Sequence, residues 1–196
     1  MSEVEHTFLF ADLVGFTALT DAEGDQRAAT VAAALQTRVR AVSAEHDAEV
    51  VKGMGDAAMV RCCDPGAAIR LALRLVDEVD SDPTLPPIRI GVHSGSAVGH
   101  EGDWYGRAVN VASRLCSVAA GGEVLVSEST LSAAGSLPRV AVGERRLHWL
   151  KNVTEPVAAR TTELRLSARR FSRLRASHCP FGIGRRSHAR AGGAAA

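Results

Sequence analysis

The order of hydrophobic patterns along the chain predicts an α+β fold: a ferredoxin-like βαββαβ core with a β/α elaboration at its C-terminal end. Two observations carry this. Runs of strand length and period stand at residues 6–13, 48–52, 57–62 and 88–98, and stretches of helical period at 22–46 and 65–79 separate the first from the second and the third from the fourth. The remaining strand and helix patterns follow residue 103, so they extend the core and do not interrupt it.

Residues 6–13 form a nearly continuous apolar run, read as a mostly buried strand with Gly15 opening the exit turn. Asp12 stands out there, because a carboxylate near a core is costly without a cation or donors. Thr20-Asp21 offers N-cap chemistry, and from Ala22 to about His46 the residues Val31, Leu35, Val39 and Val42 make one stripe of a long helix. Residues 48–52 and 57–62 read as a hairpin closed by Gly53-Met54-Gly55-Asp56. Asp64-Pro65 starts a second helix, with Pro in its first turn, that runs to about Val79. Residues 81–87 hold three prolines and form a loop, followed by the alternating strand Ile88 to about Val98. A turn at Asp103 leads into a helix ending near Ala119, stopped by Gly121-Gly122. A strand at 123–126, a short helix near 129–133 and strands near 145–150 and 157–162 complete the expected elements, with no internal repeat.

At 196 residues the chain is long enough for one domain with a proper core, and its hydrophobic content of 46% fits a globular protein in which Ala and Val carry much of the apolar load. No run approaches the roughly 18 apolar residues that span a bilayer. The acidic start Met1-Ser2-Glu3-Val4-Glu5-His6 lacks the order of a signal peptide, so a cytoplasmic location and no preceding module are expected. Cys62, Cys63, Cys116 and Cys179 have no metal-binding spacing and read as free thiols. The net charge of +1 divides into −6 over residues 1–160 and +7 over 161–196. One domain at 1–164 is therefore expected to be followed by a basic, disordered tail at 165–196, carrying Arg165, Arg169, Arg170, Arg173, Arg175, Arg185, Arg186 and Arg190. Such a tail suits nucleic acid or anionic lipid, and a solvated extension without such a role is the simpler reading.

Three stretches carry chemistry. In Asp103-Trp104-Tyr105-Gly106-Arg107-Ala108-Val109-Asn110-Val111-Ala112-Ser113-Arg114, Asn110 and Arg114 are four apart on a helix, one turn from each other on one face. An amide and a guanidinium so placed suit a polar, phosphate-bearing ligand, although an ordinary solvated Arg would look the same. Asp12, at the end of the first strand, and Asp56, in the hairpin turn, can meet because neighbouring strands lie about 5 Å apart. Paired carboxylates at strand ends suit Mg²⁺, whose preference is for hard oxygen ligands. Taken singly, Asp56 also reads as a turn residue and Asp12 as a strand-end cap.

Together, Phe8-Leu9-Phe10-Ala11-Asp12-Leu13-Val14-Gly15-Phe16-Thr17, Val51-Lys52-Gly53-Met54-Gly55-Asp56 and the Asp103–Arg114 stretch resemble the catalytic signatures of the class III adenylate/guanylate cyclases, in the family's order and spacing from about Thr7 to about Glu163. The resemblance implies that fold, with Asp12, Asp56 and the Leu13 carbonyl as ligands of two Mg²⁺ or Mn²⁺ ions. It implies that Lys52 and Asp103 read the adenine ring: adenine offers an acceptor to the ammonium and an amine to the carboxylate, while guanine inverts that edge. Guanylate cyclases of the family typically carry Glu and Cys there, so the pair argues for ATP. The resemblance gives Asn110 to the ribose, Arg114 to charge developing on the α-phosphate and Lys151 to the phosphates, with Asn152 standing where the family usually has Gly. Because the family's sites lie between two catalytic domains, a head-to-tail homodimer is implied. The expected activity is conversion of ATP to 3′,5′-cyclic AMP and pyrophosphate. The rivals are a guanylate cyclase, a catalytically silent domain that partners another cyclase, and a nucleic-acid binder acting through the tail. His93, on an alternating strand, is expected to be structural.

Overall fold

The computed structural model describes residues 4–165. The expected Arg-rich tail beyond Arg165, with Cys179, lies outside the described residues.

The six-element core is present as β1 (Val4–Leu13), α2 (Asp25–Glu45), β2 (Glu49–Met54), β3 (Ala57–Cys62), α3 (Pro65–Asp80) and β4 (Ile88–His100), with the added α1 (Phe16–Glu23) described below. Its strands lie side by side in the order β2-β3-β1-β4, every pair antiparallel. The alternation in β1 decides which face is which. Leu9, Ala11 and Leu13 point to the layer made by α2 and α3, against Val31, Leu35, Val39, Ile69 and Leu75. Phe8 points the other way, packing with Met59, Ala97, Ala108 and Ala112. Burying the Leu, Val, Ile, Phe and Met side chains of this set stabilises by about 1.5–3 kcal/mol each. The first helix of the α2/α3 layer is amphipathic as the stripe requires. The start of α3 is capped by Asp64, whose carboxylate accepts from the N–H groups of Gly66 and Ala67 at 2.9 and 3.1 Å.

The elaboration is β5 (Asp103–Tyr105), α4 (Arg107–Val118), β6 (Val124–Ser127), α5 (Glu128–Ala134), β7 (Val140–Val142), β8 (Arg146–His148) and β9 (Val157–Leu164). It extends the sheet through β6, which runs parallel to β4, then β9 and β7. Helix α4 lies on the face opposite α2 and α3 and touches β4 backbone to backbone. A Cβ on Gly91 would stand 2.1 Å from the Cys116 amide nitrogen and 2.4 Å from the Ala112 carbonyl oxygen, so only Gly permits this approach.

Several local expectations are corrected. A separate helix, α1, begins at Phe16, so Thr20 and Asp21 lie inside it and cap nothing; the Thr20 hydroxyl donates to the Phe16 carbonyl at 2.9 Å. Gly24, at φ 82°, divides α1 from α2, a break that a reading of 22–46 as one helix passes over. The Asp103 turn is a strand paired with the last residues of β4, which reaches His100 and does not stop near Val98. Strand β7 carried too few residues to be seen, and the late strand expected at 145–150 shrinks to three residues.

Candidate active site

The end of β1 places Asp12 opposite Arg89 of β4 in the antiparallel register. The Arg89 guanidinium donates through Nε to Asp12 Oδ2 at 2.7 Å, with Nη2 at 2.6 Å from the same oxygen, and through Nη1 to the Ser117 carbonyl in the last turn of α4 at 3.0 Å. This is the cation that a half-buried carboxylate demands, and at a helix C-terminus the positive charge is favourable as well. Sequence reading passed over Arg89: the alternation of Ile88, Arg89 and Ile90 turned it away from the core, but only the β1–β4 register shows what it faces.

Asp56 sits in the β2–β3 turn one residue before Ala57, the partner of Asp12. The Leu13 N–H donates to the Asp56 carbonyl at 3.0 Å, tying the two predicted metal-holding segments together through the backbone. Burial holds the Asp56 carboxyl above the usual carboxylate range; its own backbone N–H opposes this, while the negative charge of Asp12 adds to it. A carboxyl whose proton affinity is raised by burial and by a second carboxylate beside it is in an environment that a divalent cation relieves. Among the described residues no cluster of three or more His, Cys, Asp and Glu side chains stands ready for a metal, so Asp12 and Asp56 would need oxygen ligands from outside the side-chain set.

Lys52 on β2 and Asp103 on β5, 51 residues apart, meet as an ion pair at 2.5 Å. Asp103 Oδ1 also accepts from the Trp104 N–H at 2.8 Å. The bond from Lys52 and then that from Trp104 keep the Asp103 carboxyl below its ordinary range. Behind them Trp104 is braced by the His6 ring at 4.5 Å and by the Arg61 guanidinium 4.9 Å above its own ring.

On α4, Asn110 is exposed and Arg114 half-buried, and neither side chain has a partner among the described residues. Lys151, in the loop between β8 and β9, is exposed and likewise unpaired there. Next to it Asn152 has φ 63°, the left-handed conformation that Asn tolerates and Gly adopts freely. Within one chain, then, Asp12, Leu13 and Asp56 come together and Lys52 and Asp103 come together, while among the described residues no hydrogen bond or ion pair joins Lys151 to either group.

His93 is placed as a structural residue. Its Nδ1 lies 2.8 Å from the Ser127 hydroxyl, and burial, with the nearby Arg107 charge, pushes its pKa down to about 4. It lines a cavity of about 540 Å³ beside α4, together with Ser96, Tyr105, Arg107 and Val157, that includes none of the predicted site residues.

The model of the adenylate and guanylate cyclase catalytic domain matches residues 2–146. The chain belongs to this family. It is 40% identical over 151 residues to a pH-sensitive adenylate cyclase of Mycobacterium tuberculosis, covering 74% of this chain and 38% of that one. An adenylate cyclase of Streptomyces griseus is 38% identical over 117 residues, 60% of this chain and 29% of that protein. The chain thus spans about a third of the length of the curated relatives it matches. Among solved structures, the adenylyl cyclase CyaB of P. aeruginosa superposes with a TM-score of 0.72 at 21% identity, over 86% of this chain and 97% of that one. An adenylate/guanylate cyclase/hydrolase of Silicibacter pomeroyi does so at 0.71 and 25% identity, over 83% and 98%. These likenesses establish the class III cyclase fold for the domain. No helix among its described residues is long and apolar enough to cross a membrane.

Proposed function

We propose that this cyclase domain converts ATP to 3′,5′-cyclic AMP and pyrophosphate in a head-to-tail homodimer. The observation that carries the choice of ATP is the Lys52–Asp103 pair, a donor beside an acceptor held at 2.5 Å by strands distant in sequence. The pair matches adenine's ring-nitrogen acceptor and exocyclic amine, and opposes the carbonyl and N–H that guanine presents at the same edge.

In the reaction the ribose 3′-oxygen bonds to the α-phosphorus, the bond from that phosphorus to the bridging oxygen of the β-phosphate breaks, and the 3′-hydroxyl proton is lost to solvent. Asn110 and Arg114, unpaired on one face of α4, are free to receive ligand: Asn110 orients the ribose, and Arg114 stabilises the negative charge that grows on the α-phosphate. Lys151 supports the phosphate oxygens from the β8–β9 loop, while Arg89 stays ion-paired with Asp12.

Asp12, Asp56 and the Leu13 carbonyl fit a pair of Mg²⁺ or Mn²⁺ ions: the donors are hard oxygens, and the charge repulsion between the two carboxylates is what such ions offset. When bound, two such ions supply activation of an attacking oxygen and neutralisation of the leaving group. In the dimer reading, the carboxylates of one copy face the Lys52, Asp103, Asn110 and Arg114 of its partner, giving two equivalent sites.

The test is cyclic nucleotide formation from ATP and from GTP with Mn²⁺ across a range of protein concentrations. Cyclic AMP in excess over cyclic GMP, with specific activity falling on dilution, is expected. Well-folded dimer that makes neither product overturns the reading in favour of a silent partner domain, and a preference for GTP overturns the reading of Lys52 and Asp103.

A further inference from the structure

The turn that carries Asp56 is held from outside the hairpin by one side chain. Gln36, on α2, reaches over with its amide: Nε2 donates to the Gly55 carbonyl at 3.1 Å and to the Ala57 carbonyl at 2.9 Å. The carbonyl between them, that of Asp56, accepts from the Leu13 N–H at 3.0 Å. Three consecutive carbonyls around the candidate metal ligand are therefore fixed, two by Gln36 and one by the residue next to Asp12. The same amide explains Gly53. A Cβ at that position would stand 2.4 Å from Gln36 Oε1 and 2.8 Å from Gln36 Cδ, so the side chain of residue 53 has been given up to make room for the amide. Gln36 Oε1 is buried and has no hydrogen-bond partner among the described residues. Leaving a buried acceptor unmade is costly, so the amide is held there for its donor and not for a balanced pair of bonds.

We infer that Gln36 is a positioning residue for the metal-holding pair: it sets the height of the Asp56 turn against the end of β1, and Gly53 is the residue that admits it. The inference rests on the proposed cyclase reading for the purpose of the turn, but not for the wiring itself. Residues that orient metal ligands without touching the metal typically change affinity by about 10–100-fold when removed.

Two substitutions disturb the contact from opposite sides. Gln36→Ala deletes the donor. Gly53→Ala is built on extended backbone without a positive φ and expels the amide by contact. Each is expected to weaken Mn²⁺ binding, read by electron paramagnetic resonance in the presence of 3′-deoxy-ATP, by about tenfold, and to speed hydrogen exchange of the 54–57 amides. Because both act through one contact, the double variant should be no worse than the poorer single one. Turnover at saturating Mn²⁺ should fall far less than the metal half-saturation rises. The thermal midpoint controls for a general loss of folding.

Single variants within twofold of wild type in Mn²⁺ binding and hydrogen exchange would overturn the inference, as would losses that add in the double variant. Wild type that binds Mn²⁺ but forms no cyclic AMP breaks the cyclase reading and leaves this inference standing on the binding data. Wild type that binds no Mn²⁺ overturns both.

Discussion

The carboxylate end of the domain and the α4 face are built on opposite plans. Around Asp12 and Asp56 the polar groups answer one another: Arg89 holds Asp12, Leu13 holds the Asp56 carbonyl, and Gln36 holds the carbonyls on either side. On α4, Asn110 and Arg114 have nothing to bind among the described residues, and the same is true of Lys151 beyond β8. A half that is satisfied by its own chain needs only ligand ions; a half left open needs something brought to it. The difference supports a site shared between two copies, in which the open face of one is completed at the closed end of the other.

The sharpest way to break this comparison is to damage one half at a time. Asp12→Ala should lower cyclic AMP formation by at least about 10³-fold, because the proposed metal-holding pair is halved. Arg114→Ala should lower kcat by about 10²–10³-fold with a smaller change in KM, the mark of a contact that strengthens as charge develops. An equimolar mixture of the two inactive proteins should recover about a quarter of wild-type activity, since half the dimers are mixed and each holds one undamaged site. No recovery on mixing would place both halves of the site in one copy.

Changing the reader between the halves sharpens the picture further. Lys52→Glu with Asp103→Cys should shift the ratio of kcat/KM for ATP over GTP toward GTP by about 10–100-fold, measured by competition between the two substrates. The smallest expected effect comes from His93, which serves neither half. Its folded pKa of about 4 lies below the ordinary 6.5. Unfolding therefore takes up a proton between these values; stability is complete above pH 6.5 and falls as the pH drops toward 4, by at most about 1.4 kcal/mol per pH unit. His93→Gln should flatten that part of the acid limb in urea titrations made at each pH, and leave turnover at pH 8 within a few-fold.

Much of the architecture could be read directly because it is local. Phe8 and Leu9 face opposite layers as period two requires, Asp64-Pro65 starts α3, and Val31, Leu35 and Val39 line the buried side of α2. What escaped depends on contacts between distant segments. Gly24 looks like a tolerated helix residue until its φ of 82° shows a break, and β5 looks like a turn until the end of β4 pairs with it. The candidate site follows the same division. Asp12, Asp56, Lys52, Asp103, Asn110 and Arg114 stand in recognisable motifs, whereas Arg89 and Gln36 belong to none. Arg89 is defined by a register and Gln36 by a helix crossing a hairpin, and neither leaves a pattern in its own neighbourhood. Gly53 was the only trace, a glycine whose missing side chain marks where the amide of Gln36 fits.

The contact at Gly91 restricts how such a domain can be regulated. At Gly91 the backbone of α4 is pressed against β4 with no side chain between them, and that contact restrains the helix from sliding or rolling on the strand. Asn110 and Arg114 therefore travel with the strand that carries Arg89, as one solid piece. In the proposed dimer, control would then fall to the gap between copies: an input that widens or narrows the seam between them would set the rate while leaving each protomer's interior unchanged.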